Sequence, residues 1–574
     1  QEKGETLDIE KIPMDDKSVY KLFEKGNTIG VFQFESSGMR EFLKKLKPTV
    51  IEDLIAMNAL YRPGPMENID SFISRKHGTK NISYPHTIME PILNETYGII
   101  VYQEQVMQIA NEVAGFTLAE ADIMRRAMGK KIKSLMDELA IKFIDGAEKK
   151  NIKKKKAEEI FALIEKFAQY GFNKSHSTAY AYVAYQTAWL KVHHTAEFMS
   201  ANLTSEMRII DRVVILINEC KKMKIEVVPP NINISYEDFR PVNKTTISYG
   251  LNAIKNVGSK ALETIIFERK ENGPYESIFD LCSRVDQQKV NKRVIESLVM
   301  AGALDSIEGN RFQKFSAVDD AIKYGQQMQN ESNRNQVDMF GSAGLEDDLI
   351  KIPTLKELPE WPEKDALSKE KEVLGFYVSG HPLLEHSEEL EEFTSVTFED
   401  QQDLSKKDTV VVGGMITRIV RRFDRRNREM AFFDMDCLGG HAEVISFSDC
   451  FKSYGSLIEE GSVVFIKGKL SDSSDFSDLK IISEEIIPVD QVRERLSQRL
   501  NINFPSGEVE GEDVEELMHL SRRNEGNCRL IFHLPNQGSS KPLKIIAHNI
   551  MVTTESSFIK TLRGKYGKEN VWVD

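Results

Sequence analysis

Cysteine is scarce and scattered in this chain: Cys220, Cys282, Cys437, Cys450 and Cys528 are the five in 574 residues, and no two form a C-x-x-C pair. That spacing excludes an ordinary zinc ribbon and fits the reduced thiols of a cytoplasmic protein. No apolar run approaches the roughly 18–20 residues that a bilayer crossing needs. No charged-then-apolar leader of an exported protein opens the chain. A G-x-x-x-x-G-K loop is also missing, which removes the P-loop NTPases. The first residue is Gln1 and not Met, the start expected of a fragment.

What is present is an ordinary globular composition, 41% hydrophobic and 29% charged, in a chain long enough for roughly three to five domains. The net charge of −13 argues superficially against nucleic acid. Charge acts locally, however. Residues 121 to 156 hold twelve Lys/Arg against five Asp/Glu and end in Lys153-Lys154-Lys155-Lys156. Residues 384 to 405 hold eight acids and no Lys or Arg, and 508 to 516 hold six more acids. A basic block inside an acidic chain implies one DNA-facing surface, with partner-facing acidic modules elsewhere. For the lysine run alone, a solvated helix face serves equally well.

Apolar residues recur at three- and four-residue spacing through 1 to 205, in VYQEQVMQIANEVAG and AEEIFALIEKFAQYG, so this part reads as helix. Pro63, Gly64 and Pro65 break it at a sharp turn. Shorter helices and one strand-like run, TTISYGL, fill 206 to 310. Residues 325 to 347 are rich in Gln, Asn, Ser and Gly and read as an exposed connector. Near 408 the period becomes two. Five β-branched runs, with a helix between the third and fourth, follow the order of an OB-fold barrel. The last 75 residues read as a small α/β module.

Several constellations carry chemistry. Lys174 and His176 sit in a donor-rich loop that opens a helix bearing Tyr182, Tyr185 and Trp189. Such an arrangement can hold polyphosphate while rings stack on bases; the other reading of the aromatics is core packing. Arg125 and Arg126 are adjacent on a helix, so they point about 100° apart and can straddle a groove, each presenting a fork to phosphate oxygens. Nearby Asp122 offers them a local ion pair instead. YRPGP, with Arg62, fixes backbone shape and places a cation. Glu104 reads as a solvated or paired helix residue. LNAIKNVGSKALETII resembles a helix-hairpin-helix, whose Gly-containing turn offers N–H groups to a DNA phosphate. Asn256 stands there where glycine is often found; IESLVMAGALD, 295 to 305, looks like a partner hairpin. QVDMF places Met339 and Phe340 in a segment with no core to join, as exposed anchors for another protein's pocket. Arg418, Arg421, Arg422, Arg425, Arg426 and Arg428 surround Phe423 on the barrel's first strand and the turn after it. They suit single-stranded DNA or serve as solubilising charge.

The stretches GVFQFESSGM (30–39), ALYRPGP (59–65), YGIIVYQEQVMQIA (97–110), MRRAMGKK (124–131) and KFAQYGFNKSHSTAYAYVAYQTAWLK (166–191) strongly resemble the fingers region of the C-family bacterial replicative DNA polymerases, the DNA polymerase III alpha subunits. The resemblance continues through essentially the whole chain to Trp572-Val573-Asp574. It implies a multidomain α+β protein: a palm junction at 1–20, helical fingers at 21–205 and a helix-hairpin-helix region at 206–310. A linker with a clamp-binding peptide at 311–350, a helical connector at 351–405, an OB-fold at 406–490 and a C-terminal domain at 491–574 that docks the clamp-loader tau subunit complete it.

The same resemblance implies that Arg125 and Arg126, with Lys174, His176 and Tyr170, grip the incoming deoxynucleoside triphosphate. Arg62, Lys130, Lys131, Asn256, Val257, Gly258, Lys260, Arg421 and Phe423 would face primer-template or single-stranded DNA. QVDMF resembles the sliding-clamp peptide, so Gln336, Asp338, Met339 and Phe340 would meet the beta clamp. Two-metal nucleotidyl transfer, with Mg²⁺, needs aspartates that the family carries in a palm ahead of the fingers. Nothing here matches that palm; Asp15 and Asp16 match a stretch outside the metal site. A proofreading exonuclease subunit would attach through the missing part. The isolated chain is therefore expected to bind and not to catalyse. A non-catalytic replisome scaffold and the error-prone paralogue of the same polymerase are the rival readings.

Overall fold

The computed structural model describes residues 7–130, 133–168, 171–337, 351–396, 409–438, 440–471, 479–504, 511–534 and 543–574. The chain divides into two compact units, 1–378 and 379–574. The first unit is mainly helical. Its first half runs through α1 (Lys17–Glu24), α2 (Ser37–Leu46), α3 (Ile51–Leu60), α4 (Ile69–Lys76), α5 (Glu90–Leu93), α6 (Gln103–Ala114), α7 (Leu118–Lys130), α8 (Lys133–Lys149), α9 (Lys154–Ala168) and α10 (Lys174–His193). Then follow α11 (Thr195–Glu206), α12 (Ile210–Lys222) and a small sheet of β1 (Glu226–Val228), β2 (Arg240–Asn243) and β3 (Thr246–Ser248), in the order β1-β3-β2. The unit ends with α13 (Ser259–Asn272), α14 (Ile278–Arg284), α15 (Lys292–Met300), α16 (Arg311–Ser316), α17 (Val318–Val337) and α18 (Glu363–Leu374).

Three apolar cores lie in series along this unit. One gathers α1 to α4 around α10, a second joins α6 to α9, and the third spans α11 to α18 with the sheet. Helix α10 packs on α3 through a stripe of small residues: Ala181, Ala184 and Ala188 are fully buried. Between the two helices, the Ser177 hydroxyl donates to the Ile55 carbonyl at 2.6 Å, which satisfies a buried polar group without opening the packing. Tyr185 on the same face is also fully buried, so it belongs to the core.

Residues 325–337, expected as an exposed connector, are instead the second half of α17. The helix packs on α14. Gly325 stands where a Cβ would lie 2.1 Å from the Cys282 carbonyl, and the Gln329 amide donates to Val285 O at 2.7 Å.

The second unit begins with α19 (Ser387–Phe393). Next come β4 (Thr409–Phe423), β5 (Glu429–Cys437), β6 (Gly440–Ser446), α20 (Ser448–Tyr454), β7 (Val463–Leu470) and β8 (Leu479–Pro488). These strands close into a barrel in the order β4-β5-β6-β8-β7, the OB-fold topology expected from the period-two runs. Strand β4 pairs with β7 along its first half and β5 along its second, and Gly413-Gly414 lie where it changes partner. A Cβ on Gly413 would sit 2.4 Å from Leu390, so only glycine lets α19 lie that close to the barrel. After α21 (Val492–Leu496) comes a sheet ordered β11-β10-β9-β12. It is built from β9 (Arg499–Asn503), β10 (Glu525–Leu534), β11 (Leu543–Val552) and β12 (Val571–Val573), with α22 (Gly511–Arg523) and α23 (Ser556–Tyr566). The acidic run of α19 is not wholly a partner-facing surface. Glu389 and Glu392 accept from Arg493 at 2.8 Å each, and Glu392 also accepts from Arg563 at 3.0 Å. These acids tie α19 to the C-terminal module.

The most constrained charge in the first unit is Lys191. Its ammonium is buried and donates to Asn27 O and Ile29 O, both at 2.8 Å, and to Glu219 of α12. Replacing Glu219 with Ala strands that cation, and is expected to cost on the order of 3–5 kcal/mol of stability in urea unfolding followed by far-UV circular dichroism. Glu219→Ala combined with Lys191→Met should recover most of the loss.

Candidate nucleotide and nucleic-acid interface

The loop before α10 is the best-built feature of the first unit. Asn173 caps the helix, its side-chain oxygen accepting from the His176 N–H at 2.8 Å. Glu104, in the first turn of α6, holds the same loop from outside: it accepts from the Lys174 N–H at 2.9 Å and from the Asn173 amide at 2.8 Å. Its role is therefore structural. Gln103 beside it donates its backbone N–H to Phe172 O and its side-chain amide to Gly171 O, each at 2.9 Å. The Gln103 carbonyl oxygen in turn accepts from Arg125 at 3.1 Å. Lys174 and His176, expected in a loop, instead form the first turn of α10, and Arg125 lies one side chain away from the Gly171–Phe172 loop that precedes it.

A wall of rings and one cation rises from this loop. The Arg62 guanidinium lies over the Phe172 ring at 3.9 Å. Burial pushes the Arg62 pKa down. Phe172 meets His176 edge-on at 5.4 Å, His176 lies on Tyr180 at 4.3 Å, and Tyr180 approaches Phe32 at 5.2 Å. Together they line an open cleft of about 1120 Å³, bounded also by Gln33 and Arg212. Of the residues expected to grip a nucleotide, His176 lines the cleft, and Arg62, expected at DNA, lines it too. Lys174 is paired with Glu95 at 2.7 Å, and Arg125 and Arg126 share Asp122. Tyr170 and Lys131 lie outside the described residues, and Lys130 ends α7. Tyr182 is exposed on α10, while Trp189 packs on His193 at 4.6 Å.

Sequence reasoning missed Phe32, Phe172, Tyr180 and Gln103. Tyr180 had a usable signal, since it follows His176 by one helical turn. Gln103 had none, because its role is set by a contact across 68 residues.

In the helix-hairpin-helix region, Asn256 adopts φ +66° itself, which supplies the turn that glycine would usually make. Its amide donates to Ser297 at 3.1 Å. Gly258 precedes α13 with open space around it, Lys260 is exposed, and Val257 is buried. The later turn differs: Gly302 lies against the guanidinium of Arg311, which pairs with Asp305 at 2.7 Å and Glu370 at 3.0 Å. That turn is filled by side chain.

On the barrel, Arg418, Arg421, Arg422 and Phe423 are exposed along β4. Arg428 instead closes the β4–β5 turn through Asp424 at 2.9 Å, and the backbone and side-chain donors around Asp424 pull its pKa down to about 2. Gln336 is the penultimate residue of α17; Asp338, Met339 and Phe340 lie outside the described residues. Among the described residues no group of three or more His, Cys, Asp or Glu is placed to hold a metal ion, and no helix is long and apolar enough to cross a membrane.

Three segments match known families: residues 1–151 the bacterial DNA polymerase III alpha subunit finger domain, 224–314 a helix-hairpin-helix motif, and 410–489 an OB-fold nucleic acid binding domain. These parts and the site together define a multidomain α+β protein equipped to handle nucleic acid. Nearly the whole chain is similar to the C-terminal part of bacterial DNA polymerase III alpha subunits. It is 37% identical to the DNA polymerase III subunit alpha of Pseudomonas aeruginosa over 99% of this chain and 50% of that protein. Against the Escherichia coli protein of that name the figures are 37%, 98% and 49%, and against the Borreliella burgdorferi one 38%, 99% and 49%. The chain spans about half the length of the curated relatives it matches.

Because Glu104 is the outer clamp on the α10 N-terminus, Glu104→Ala should speed hydrogen exchange at the Lys174 amide. It should also cost about 1 kcal/mol, the usual worth of a lost cap. Unchanged exchange at Lys174 would remove Glu104 from that role.

Proposed function

We propose that this chain is the fingers and downstream DNA-handling part of a bacterial replicative DNA polymerase, which extends primers 5'-to-3' by template-directed nucleotidyl transfer. The observation that carries the reading is the 171–176 segment, the loop end and first turn of α10. Its rings and Arg62 form a stacking wall along one cleft, and Gln103 ties the same loop to Arg125. Rings stack on bases without regard to sequence, as a template-directed enzyme requires. Guanidiniums hold negative charge as a phosphoryl group transfers. Arg125, Arg126, Lys174, His176 and Tyr170 make the nucleotide site. Arg62, Lys130, Lys131, the 256–260 turn, Arg421 and Phe423 make the DNA path.

The divalent metal that nucleotidyl transfer needs, Mg²⁺ in this reading, is held by carboxylates outside these residues. Among the described residues no group of three or more His, Cys, Asp or Glu is placed to hold it. QVDMF docks the beta sliding clamp, the C-terminal module docks the clamp-loader tau subunit, and the complete protein works in the cytoplasm, with a proofreading exonuclease bound elsewhere on it.

The deciding measurement is steady-state primer extension by the complete polymerase. Arg125→Ala with Arg126→Ala should raise the nucleotide KM or lower kcat by at least about a hundredfold, the usual worth of a lost charge-stabilising donor. Unchanged kinetics would remove the assignment. Phe340→Ala should abolish clamp-dependent processivity and spare distributive synthesis; surviving processivity would place the clamp contact elsewhere. The 574-residue chain alone should bind primer-template without extending it, whereas extension would locate metal carboxylates within it.

A further inference from the structure

We infer that Asp122 is a tethered anion that competes with phosphate for the Arg125–Arg126 pair; the inference rests on the reading of these arginines as the polyphosphate grip. One carboxylate serves both guanidiniums. Its Oδ1 accepts from Nε and Nη2 of Arg125 at 2.9 and 2.7 Å, and its Oδ2 meets Nη2 of Arg126. The arginines follow Asp122 by three and four residues on α7, so the carboxylate reaches both from one helix face without any change of backbone.

The setting is open to water. The Arg126 side chain is 67% exposed and that of Asp122 27%. Ion pairs this accessible are weak, so an incoming polyphosphate can break them. The carboxylate stays attached to the helix when it is displaced. As soon as the phosphate loosens, it can retake both cations, which shortens the stay of pyrophosphate. The arrangement therefore lowers the affinity of every phosphate ligand and keeps the guanidiniums ordered between turnovers. Asp122 acts through the arginines and is a positioning residue.

The sign of one substitution separates competition from support. A competing anion, once neutralised, leaves phosphate binding tighter, and by the same factor for every ligand that uses both arginines. A merely supporting contact, once lost, leaves the arginines disordered and binding weaker. The experiment is calorimetric binding of inorganic pyrophosphate and of dTTP to the 574-residue chain. It compares wild type with Asp122→Asn, Asp122→Glu and Arg125→Ala/Arg126→Ala. Asp122→Asn should tighten both ligands by one common factor, about tenfold for the two partly exposed pairs released. Asp122→Glu keeps the charge and should stay within about twofold of wild type. Weaker or unchanged binding in Asp122→Asn, or a gain for one ligand alone, overturns the competition while leaving the grip intact. Equal pyrophosphate binding, or none, in wild type and the double-arginine variant overturns the grip and the competition with it.

Discussion

The buried ammonium of Lys191 is the constraint on which the first unit turns. Taking a cation out of water costs several kcal/mol, and burial accordingly pushes the Lys191 pKa down. That cost is offset only if acceptors converge on it, and here they come from two places: the carbonyls of Asn27 and Ile29, and the Glu219 carboxylate of α12. The carbonyls belong to the loop that runs on through Gly30 and Gln33, both held at positive φ, +78° and +63°. The same loop is pinned a second time where the Phe32 N–H donates to Thr187 of α10 at 3.2 Å. Phe32 therefore reaches Tyr180, and the ring wall is completed by an ion pair that is itself not in the cleft.

An acidic chain that handles polyanions has to keep its cations ordered without letting the surrounding acids cancel them. The pairs fall into two kinds. In the second unit Glu389 and Glu392 are consumed by Arg493 and Arg563, so part of the acid excess at 384–405 is structural. On α7 the pairs are partly exposed, Arg126 most of all, and share one carboxylate, so they exchange more readily for another anion. The net charge of −13 averages over both kinds and predicts neither.

Legibility followed the range of the interactions. The barrel strands were readable because period two is a local pattern, whereas Lys174 and His176 read as loop and form the first turn of α10 behind the Asn173 cap. Helix α17 was misread at 325–337 because its polar composition hid a seat on α14 that depends on Gly325 and Gln329 reaching backbone atoms more than forty residues away. The second hairpin turn looked like the first in sequence, yet Arg311 fills it, a contact set by Asp305 and Glu370. At the site, Arg125, His176 and Arg62 were recognisable as residues. That Gln103 ties the first to the loop, and that Phe172 stacks between the other two, was invisible without the fold.

The cations near the loop divide by what their release would leave behind. Lys174 lies between Glu95 and the ring of Tyr102, 5.5 Å from its centroid. The second Glu95 oxygen and the Tyr102 hydroxyl are buried and have no hydrogen-bond partner among the described residues. Withdrawing Lys174 would leave a carboxylate with both oxygens unmatched beside a buried phenol, a loss of about 1–3 kcal/mol or more. Withdrawing Arg126 from Asp122 costs well under that, since both ends return to water. Lys174 therefore belongs to the frame of the loop, and its charge acts from a fixed position. Arg126, held by Asp122, and Arg125, held by Asp122 and Gln103, are the more exchangeable charges. In the nucleotide site proposed above, the ring wall and the two exchangeable guanidiniums would divide the work: the rings would fix where a base lies, and the arginines would take up the phosphate.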